Sequence, residues 1–111
     1  MHSTPPLDSS SRHPKEHHRL VGTELKEAVA GVGQWQVVQG KLHRRFSFGN
    51  FSQAFSFMTQ VAMCAEQLDH HPHWRNEYNV VDIYLSTFDA DGITWRDIEL
   101  AKRVDQLYID D

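Results

Sequence analysis

The densest group of chemically capable side chains lies in the segment Asp69-His70-His71-Pro72, with His73 directly after it. An imidazole can take up or release a proton near neutral pH, and we expect the neighbouring Asp69 carboxylate to orient one ring or balance its charge. If this segment is the corner between a helix and a strand, its two imidazoles can line one rim. Such a pair suits a reaction that needs an acid on one atom and a base on another. Spacing alone leaves open a second interpretation, in which these are surface histidines of a loop.

A zinc site is a weaker hypothesis for this segment. Adjacent histidines rarely ligate one metal together, and no cysteine or carboxylate set with ligand spacing accompanies them. We therefore expect no metal here, and we expect His73 to be a surface residue.

Length and composition predict one domain. The chain has 111 residues, 40% of them hydrophobic, and a formal net charge of −4. This negative charge argues against nucleic acid as the main partner, because phosphate binding requires a basic face. The single Cys64 cannot form an intramolecular disulfide. No apolar run is long enough for a membrane span or a secretory signal, so the cytoplasm is the expected compartment.

The chain divides into a tail and a folded part. Residues 1–20 are rich in Ser, Pro and His and contain few apolar residues, which predicts a flexible N-terminal tail. Residues 21–111 carry periodic apolar patterns and are predicted to form the domain.

The folded part begins with a predicted helix and hairpin. Thr23 is the expected N-cap of the helix, and Gly31 its end. Alternating apolar residues around Trp35–Val37 and Leu42–Phe48 predict two strands, with Gly40 in the tight turn between them.

A second helix has the clearest pattern. Asn50 is the expected N-cap, with Gln53 three residues later, and the helix should end before Pro72. Apolar residues then recur at the spacing of one helix face, which predicts a core-facing stripe of Phe51, Ala54, Phe55, Met58, Val61, Ala62, Ala65 and Leu68.

Two more strands and a helix complete the pattern. The strands are predicted at Trp74–Tyr78 and around residues 81–85, and residues 89–92 form a turn. Thr94 then caps the last helix, with Asp97 at the capping-box position; the cap is the favoured explanation of Asp97. The order α-β-β-α-β-β-α predicts an α+β fold, a four-stranded antiparallel sheet with helices packed on one face.

Beyond these local patterns, the chain closely resembles the pterin-4a-carbinolamine dehydratases. The resemblance covers residues 33–107. It is carried by the run Ala65–Trp74, by the spacing Glu66-x3-His70-His71-Pro72-x5-Tyr78, and by other matching positions. These are Phe46-Ser47-Phe48, Phe51, Ala54-Phe55, Phe57-Met58, Val61-Ala62, Asn76, Asn79, Leu85-Ser86-Thr87, Gly92-Ile93-Thr94 and Asp97.

This resemblance implies a small α+β protein that forms a homodimer or homotetramer. Family members remove water from 4a-hydroxytetrahydropterin and release quinonoid dihydropterin in tetrahydrobiopterin recycling. The resemblance implies no metal and no organic cofactor. Some animal members also bind a homeodomain transcription factor, but no feature of this sequence reports such a partner.

The resemblance also assigns roles to residues. His70 and His71 match the paired catalytic histidines, one protonating the leaving hydroxyl and the other taking the N5 proton. Asp69, Ser86 and Thr87 match positions that surround the pterin ring in the family. We expect Trp74, Phe88 and Asp89 to contact the pterin as well.

One position departs from the family pattern. Phe88 stands where the family has a third histidine, and a phenyl ring can stack on a pterin but cannot transfer a proton. We expect reduced activity, with a preference for one 4a diastereomer. The alternative is a catalytically weakened member that acts as a pterin-binding, protein-assembly or coactivator module.

Overall fold

The computed structural model describes residues 17–108, which form an α+β fold. The elements, in chain order, are α1 (Gly22–Ala30), β1 (Gln36–Val38), β2 (Lys41–Ser47), α2 (Phe51–Leu68), β3 (His73–Glu77), β4 (Val80–Leu85), a 3₁₀ turn (Phe88–Ala90) and α3 (Trp95–Leu107). The predicted order of helices and strands is confirmed.

Two hairpins meet to form one antiparallel sheet with the strand order β1-β2-β4-β3. In the first hairpin Val38 pairs with Lys41, so only Gln39 and Gly40 form the loop. Both loop residues have positive φ, 53° and 77°, which is the conformation of a type I′ turn. The prediction of a tight turn at Gly40 is confirmed.

The core lies between one face of the sheet and the helices. Because side chains alternate along a strand, every second residue of β2 and β4 points toward α2 and α3. The buried apolar residues of these elements are Leu42, Phe46, Val81, Ile83 and Leu85 from the sheet, with Ala54, Phe57, Val61, Ala65, Ile98, Leu100, Ala101 and Val104 from the helices.

The other face of the sheet carries polar side chains centred on Asp82. This carboxylate accepts hydrogen bonds from Arg45 Nε at 3.0 Å and Nη2 at 3.2 Å, and Oδ1 lies 2.8 Å from His43 Nε2. Burial raises the pKa of Asp82, but the hydrogen bonds from Arg45 and His43 outweigh it and hold that pKa below its ordinary value. The same contact raises the pKa of Arg45.

The predicted apolar stripe of α2 is partly wrong. The buried residues of the helix include Phe57, which is not in the predicted stripe. Phe51 and Phe55, which are in it, are 49% and 54% exposed. The face centred on Ala54 and Val61 packs on the sheet, so Phe51 and Phe55 lie at its margin, with their rings 5.8 Å apart. The periodicity predicted the helix correctly, but the predicted buried face is rotated about the helix axis relative to the face that is buried.

The N-terminal boundary also differs from the prediction. Leu20 is 2% exposed, and its N–H donates to the carbonyl of Ile93, so it belongs to the fold rather than to a tail. Helix α1 is capped by Val21 without a side-chain hydrogen bond, and the predicted Thr23 cap is wrong. Of the rest of the predicted tail, residues 17–19 are exposed and residues 1–16 lie outside the described residues, as do residues 109–111.

Candidate active site

The two histidines lie at a sharp corner where α2 ends. Asp69 has a left-handed backbone conformation, with φ 53° and ψ 42°. The N–H of Asp69 bonds the carbonyl of Glu66, and the N–H of His70 bonds that of Ala65. These two bonds form a Schellman motif, which ends the helix and reverses the chain. Consecutive side chains therefore point in different directions: His70 is buried and His71 is exposed.

His70 contacts a buried carboxylate. Its Nε2 lies 2.5 Å from Oδ1 of Asp97, and the two residues are 8% and 0% exposed. An ionised carboxylate can only accept, so His70 donates through Nε2–H and leaves Nδ1 as the second ring nitrogen. Asp97 thereby selects one tautomer and fixes the plane of the ring.

Asp97 is itself held by hydrogen bonds in a fixed direction. Its Oδ2 accepts from the Thr87 hydroxyl at 2.8 Å and from the Thr94 N–H at 2.9 Å. Because the Thr87 hydroxyl has one proton and donates it to the carboxylate, the Thr94 hydroxyl is the donor in its 2.7 Å hydrogen bond to Thr87 Oγ1. Thr94 and Asp97 also form the capping box of α3. The predicted cap is confirmed, and the same carboxylate positions His70.

His71 has a carboxylate partner as well. Its Nε2 lies 2.6 Å from Oε2 of Glu66, in the last turns of α2. Both side chains are well exposed, at 56% and 74%. Solvent weakens this pair relative to the buried one, so it orients His71 less rigidly.

The carboxylate partners correct one expectation. Asp69 was expected to orient an imidazole, but the acids that contact the two rings are Asp97 and Glu66. Asp69 instead bonds through its backbone: besides its N–H bond to Glu66, its carbonyl accepts from Arg96 Nη2 at 2.6 Å. This bond ties the corner to the first turn of α3.

A cavity of about 270 Å³ opens at this corner, and we call it the histidine cavity. It contains seven of the eight predicted site residues. Its lining residues are Asp69, His70, His71, Ser86, Thr87, Phe88, Asp89 and Arg96. Trp74 does not line this cavity; it packs against the core instead. Its predicted substrate contact therefore stays a prediction.

Phe88 stands at the rim of the histidine cavity. It begins the 3₁₀ turn after β4, which the bridge between Thr87 and Gly92 closes. Its side chain is 95% exposed, an unusual state for a large apolar ring. A flat ring at the mouth of a cavity can stack on a planar ligand.

Three contributors to the site were missed from the sequence. Asp97 was assigned only to the cap, because its 27-residue separation from His70 hides their contact. Glu66 belongs to the motif, and its position one helical turn before the corner could have indicated its partner. Nothing in the sequence indicated Arg96, whose role depends on how α3 packs against the end of α2.

Two other kinds of feature, a metal site and a membrane-spanning helix, are absent from the described part of the chain. Within residues 17–108, no group of three or more His, Cys, Asp or Glu side chains is placed to hold a metal ion. In the same range, no helix is both long enough and apolar enough to cross a membrane.

Comparisons with known proteins identify the family of this chain. The sequence profile of the family described as pterin 4 alpha carbinolamine dehydratase matches residues 18–107. The chain belongs to this family. The match begins before α1 and ends at the last residue of α3, so the family covers nearly all of the described fold.

Two bacterial relatives have names that assign them to the same dehydratase family. The chain is 50% identical over 90 residues to that of Burkholderia cenocepacia strain HI2424, covering 79% of this chain and 88% of the relative. It is 43% identical over 91 residues to that of Prochlorococcus marinus strain MIT 9515, covering 82% and 95%.

Two solved structures are similar to this fold. One is a transcriptional coactivator/pterin dehydratase from Brucella melitensis, with a TM-score of 0.77 and 43% identity, covering 81% of this chain and 98% of that one. The other is a pterin dehydratase-like protein identified as a RuBisCO assembly factor in the alpha-carboxysome. Its TM-score is 0.55 at 27% identity, covering 66% and 84%.

Proposed function

We propose that this protein is a 4a-hydroxytetrahydrobiopterin dehydratase, a hydro-lyase that works by general acid–base catalysis at His70 and His71. The observation that carries the proposal is the hydrogen bond between His70 and the buried Asp97 at the edge of the histidine cavity. Family membership supports the substrate class.

The reaction removes one molecule of water from the carbinolamine. The C4a–O bond of the carbinolamine breaks, the departing oxygen gains a proton to become water, and N5 loses its proton as the quinonoid double bond forms. One protonated imidazole supplies the first proton and one neutral imidazole accepts the second. Each transfer contributes about 10²–10⁴-fold to the rate.

Asp97 acts as a positioning residue for His70. Because Nε2–H is committed to the carboxylate, we assign Nδ1 of neutral His70 as the base that accepts the N5 proton, and His71 as the acid that protonates the leaving oxygen. After each turnover the exposed His71 regains a proton from water and His70 releases the proton that it took from N5, which resets the pair. In the proposed complex the backbone and side chains of Asp69, Ser86, Thr87 and Asp89 surround the pterin ring.

Phe88 gives the proposed site its distinct character. Its ring stacks on the pterin at the cavity mouth and supplies no proton, so only the two remaining histidines take part in proton transfer. We infer a lower activity than a three-histidine site would have, and a preference for one 4a diastereomer.

A second candidate function is that of a pterin-binding or protein-assembly module. Phe88 favours it, since the site lacks one family histidine. The solved structure described as a RuBisCO assembly factor, at 27% identity, favours it too. A coactivator role belongs to the same class and is suggested by the name of the Brucella melitensis protein.

We also propose that the protein is a cytoplasmic homodimer or homotetramer. Exposed apolar side chains on one helix support self-association: Phe51, Phe55 and Met63 of α2 are 49%, 54% and 65% exposed. Their burial against a second copy would remove apolar surface from water. Sedimentation velocity on wild type and on Phe55→Glu tests this, and a monomeric wild type would contradict it.

The proposed activity is tested by stopped-flow absorbance. A 4a-carbinolamine is generated in situ, and its conversion to quinonoid dihydropterin is followed with and without protein. We expect a catalysed rate proportional to protein concentration, reduced about 10²–10⁴-fold by His70→Ala and similarly by His71→Ala. Circular dichroism verifies that both variants are folded. A wild-type rate equal to the uncatalysed one overturns the proposal.

A further inference from the structure

A second cavity lies directly behind His70, and we call it the rear cavity. Its volume is about 300 Å³, comparable to that of the histidine cavity. Leu68, Trp95 and Ile98 form an apolar wall between the end of α2 and the start of α3, and Arg96, Glu99 and Lys102 supply charged groups. Neither the family motif nor the proposed acid–base chemistry uses Trp95, Glu99 or Lys102.

The rear cavity adjoins the histidine cavity. His70 and Arg96 line both of them. Arg96 is held in place at this boundary because its Nη2 donates to the carbonyl of Asp69. A substituent of a planar ring in the histidine cavity would therefore enter the rear cavity past Arg96.

The charges of the rear cavity favour an anion. Its only acidic residue, Glu99, accepts a hydrogen bond from Arg103 Nε at 3.1 Å, so its charge is already balanced along α3. Arg96 and Lys102 have no carboxylate partner among residues 17–108. Two cations thus face this cavity in a chain whose formal net charge is −4.

We propose that the rear cavity binds the 6-substituent of the pterin and selects substituents that end in an anionic group, such as a phosphate ester. This inference rests on the proposed function, whose pterin ring occupies the histidine cavity. The apolar wall contacts the linking carbon atoms, while Lys102 and Arg96 bind the terminal anion. A phosphate monoester carries a charge of about −1.5 to −2 at pH 7 and three strong acceptor oxygens.

The test compares two fluorescent oxidised pterins that differ only in the terminal group: 6-hydroxymethylpterin and its phosphate monoester. Each is titrated into the full-length wild type and the affinity ratio is taken. One exposed ion pair contributes up to about fivefold in affinity, and the phosphate ester meets two cations. We therefore expect it to bind at least about fivefold more tightly than the alcohol. Added salt should reduce this ratio.

Three variants identify the residue responsible. Lys102→Met keeps most of the alkyl chain and should lower the ratio about fivefold. Glu99→Gln removes the acidic residue and should raise it. Lys26→Met is the matched control, since Lys26 is an exposed lysine on α1 that does not line the rear cavity, and it should leave the ratio unchanged.

The outcomes separate this inference from the function on which it rests. Equal affinities of wild type for the two pterins, or a Lys102→Met variant with the wild-type ratio, overturn the rear cavity as an anion site. In that case dehydration of a carbinolamine with a neutral side chain still supports the enzyme. If neither pterin binds and no carbinolamine is dehydrated, the proposed function itself fails.

Discussion

Replacement of Asp97 by Asn tests the hydrogen-bond network at its centre. The carboxylate serves three donors: His70 Nε2 at 2.5 Å through Oδ1, and Thr87 Oγ1 at 2.8 Å and Thr94 N at 2.9 Å through Oδ2. An asparagine can keep its oxygen in the Oδ2 position and satisfy both threonines. Its amide nitrogen then meets His70 Nε2, so that two donors face each other.

The variant therefore changes the tautomer of His70 more than it changes the fold. To accept from the amide, Nε2 must lose its proton, and the neutral ring carries that proton on Nδ1 instead. Nδ1 can then no longer accept a proton from N5. The same exchange in serine hydrolases costs about 10⁴-fold, and we expect a loss of about 10²–10⁴-fold in kcat here.

Stability should fall only moderately in Asp97→Asn. The two hydrogen bonds through Oδ2 survive and the third becomes a bond between neutral groups, so the cost stays below that of a lost charged bond, about 1.5–3 kcal/mol. Asp97→Ala removes all three and leaves buried donors without partners, at a cost of about 3–5 kcal/mol. Urea denaturation measures both values.

The assay combines stopped-flow kinetics with ¹⁵N NMR of the imidazole nitrogens. The matched control is Asp105→Asn on the same helix, where the carboxylate binds Trp35 Nε1 at 2.8 Å and Arg44 Nη1 at 2.6 Å, away from the histidine cavity. It should lose stability but keep its rate. A folded Asp97→Asn protein with a rate within about threefold of wild type, or with an unchanged His70 tautomer, would refute this reasoning.

Three further predictions concern other parts of the molecule. The pKa of Asp82 is lower in the fold than its ordinary value of 3.8, so its stabilising effect is present above that value and is lost as pH falls below it. Acid titration of the unfolding free energy should show this loss, and Asp82→Asn should reduce the pH dependence; an unchanged profile would contradict it. Glu66→Gln should lower kcat by less than about tenfold, because the contact with His71 is exposed. A loss as large as that of His71→Ala would contradict this and would mean that His71 requires Glu66 for catalysis. Phe88→His should raise turnover and narrow the difference between the two 4a diastereomers in stopped-flow assays; equal wild-type rates on both would argue against a two-histidine site.

Local patterns predicted the parts of this fold that depend on neighbouring residues. The Asn50 cap is confirmed by its bond from the Gln53 N–H, and the capping box of Thr94 and Asp97 is confirmed as well. The turn at Gly40 follows from the positive φ that a two-residue hairpin loop requires. Each of these features is decided within about four residues of chain.

Features that depend on packing could not be predicted in the same way. Phe51 and Phe55 have the spacing of a core stripe, but the position of the sheet beneath α2 decides which side is buried. The contact of Asp97 with His70 joins the start of α3 to the end of α2, and no local pattern reports it. The resemblance predicted the site, and the structure shows the carboxylates that contact its two histidines.

The most direct test of the central claim compares wild type with the His70→Ala/His71→Ala double variant in the stopped-flow dehydration of a generated 4a-carbinolamine. If the pair is the acid–base machinery, wild type accelerates the reaction in proportion to its concentration, and the folded double variant falls to the uncatalysed rate. A wild-type rate no higher than that of the double variant, with pterin binding retained, would contradict catalysis and leave a binding or assembly module.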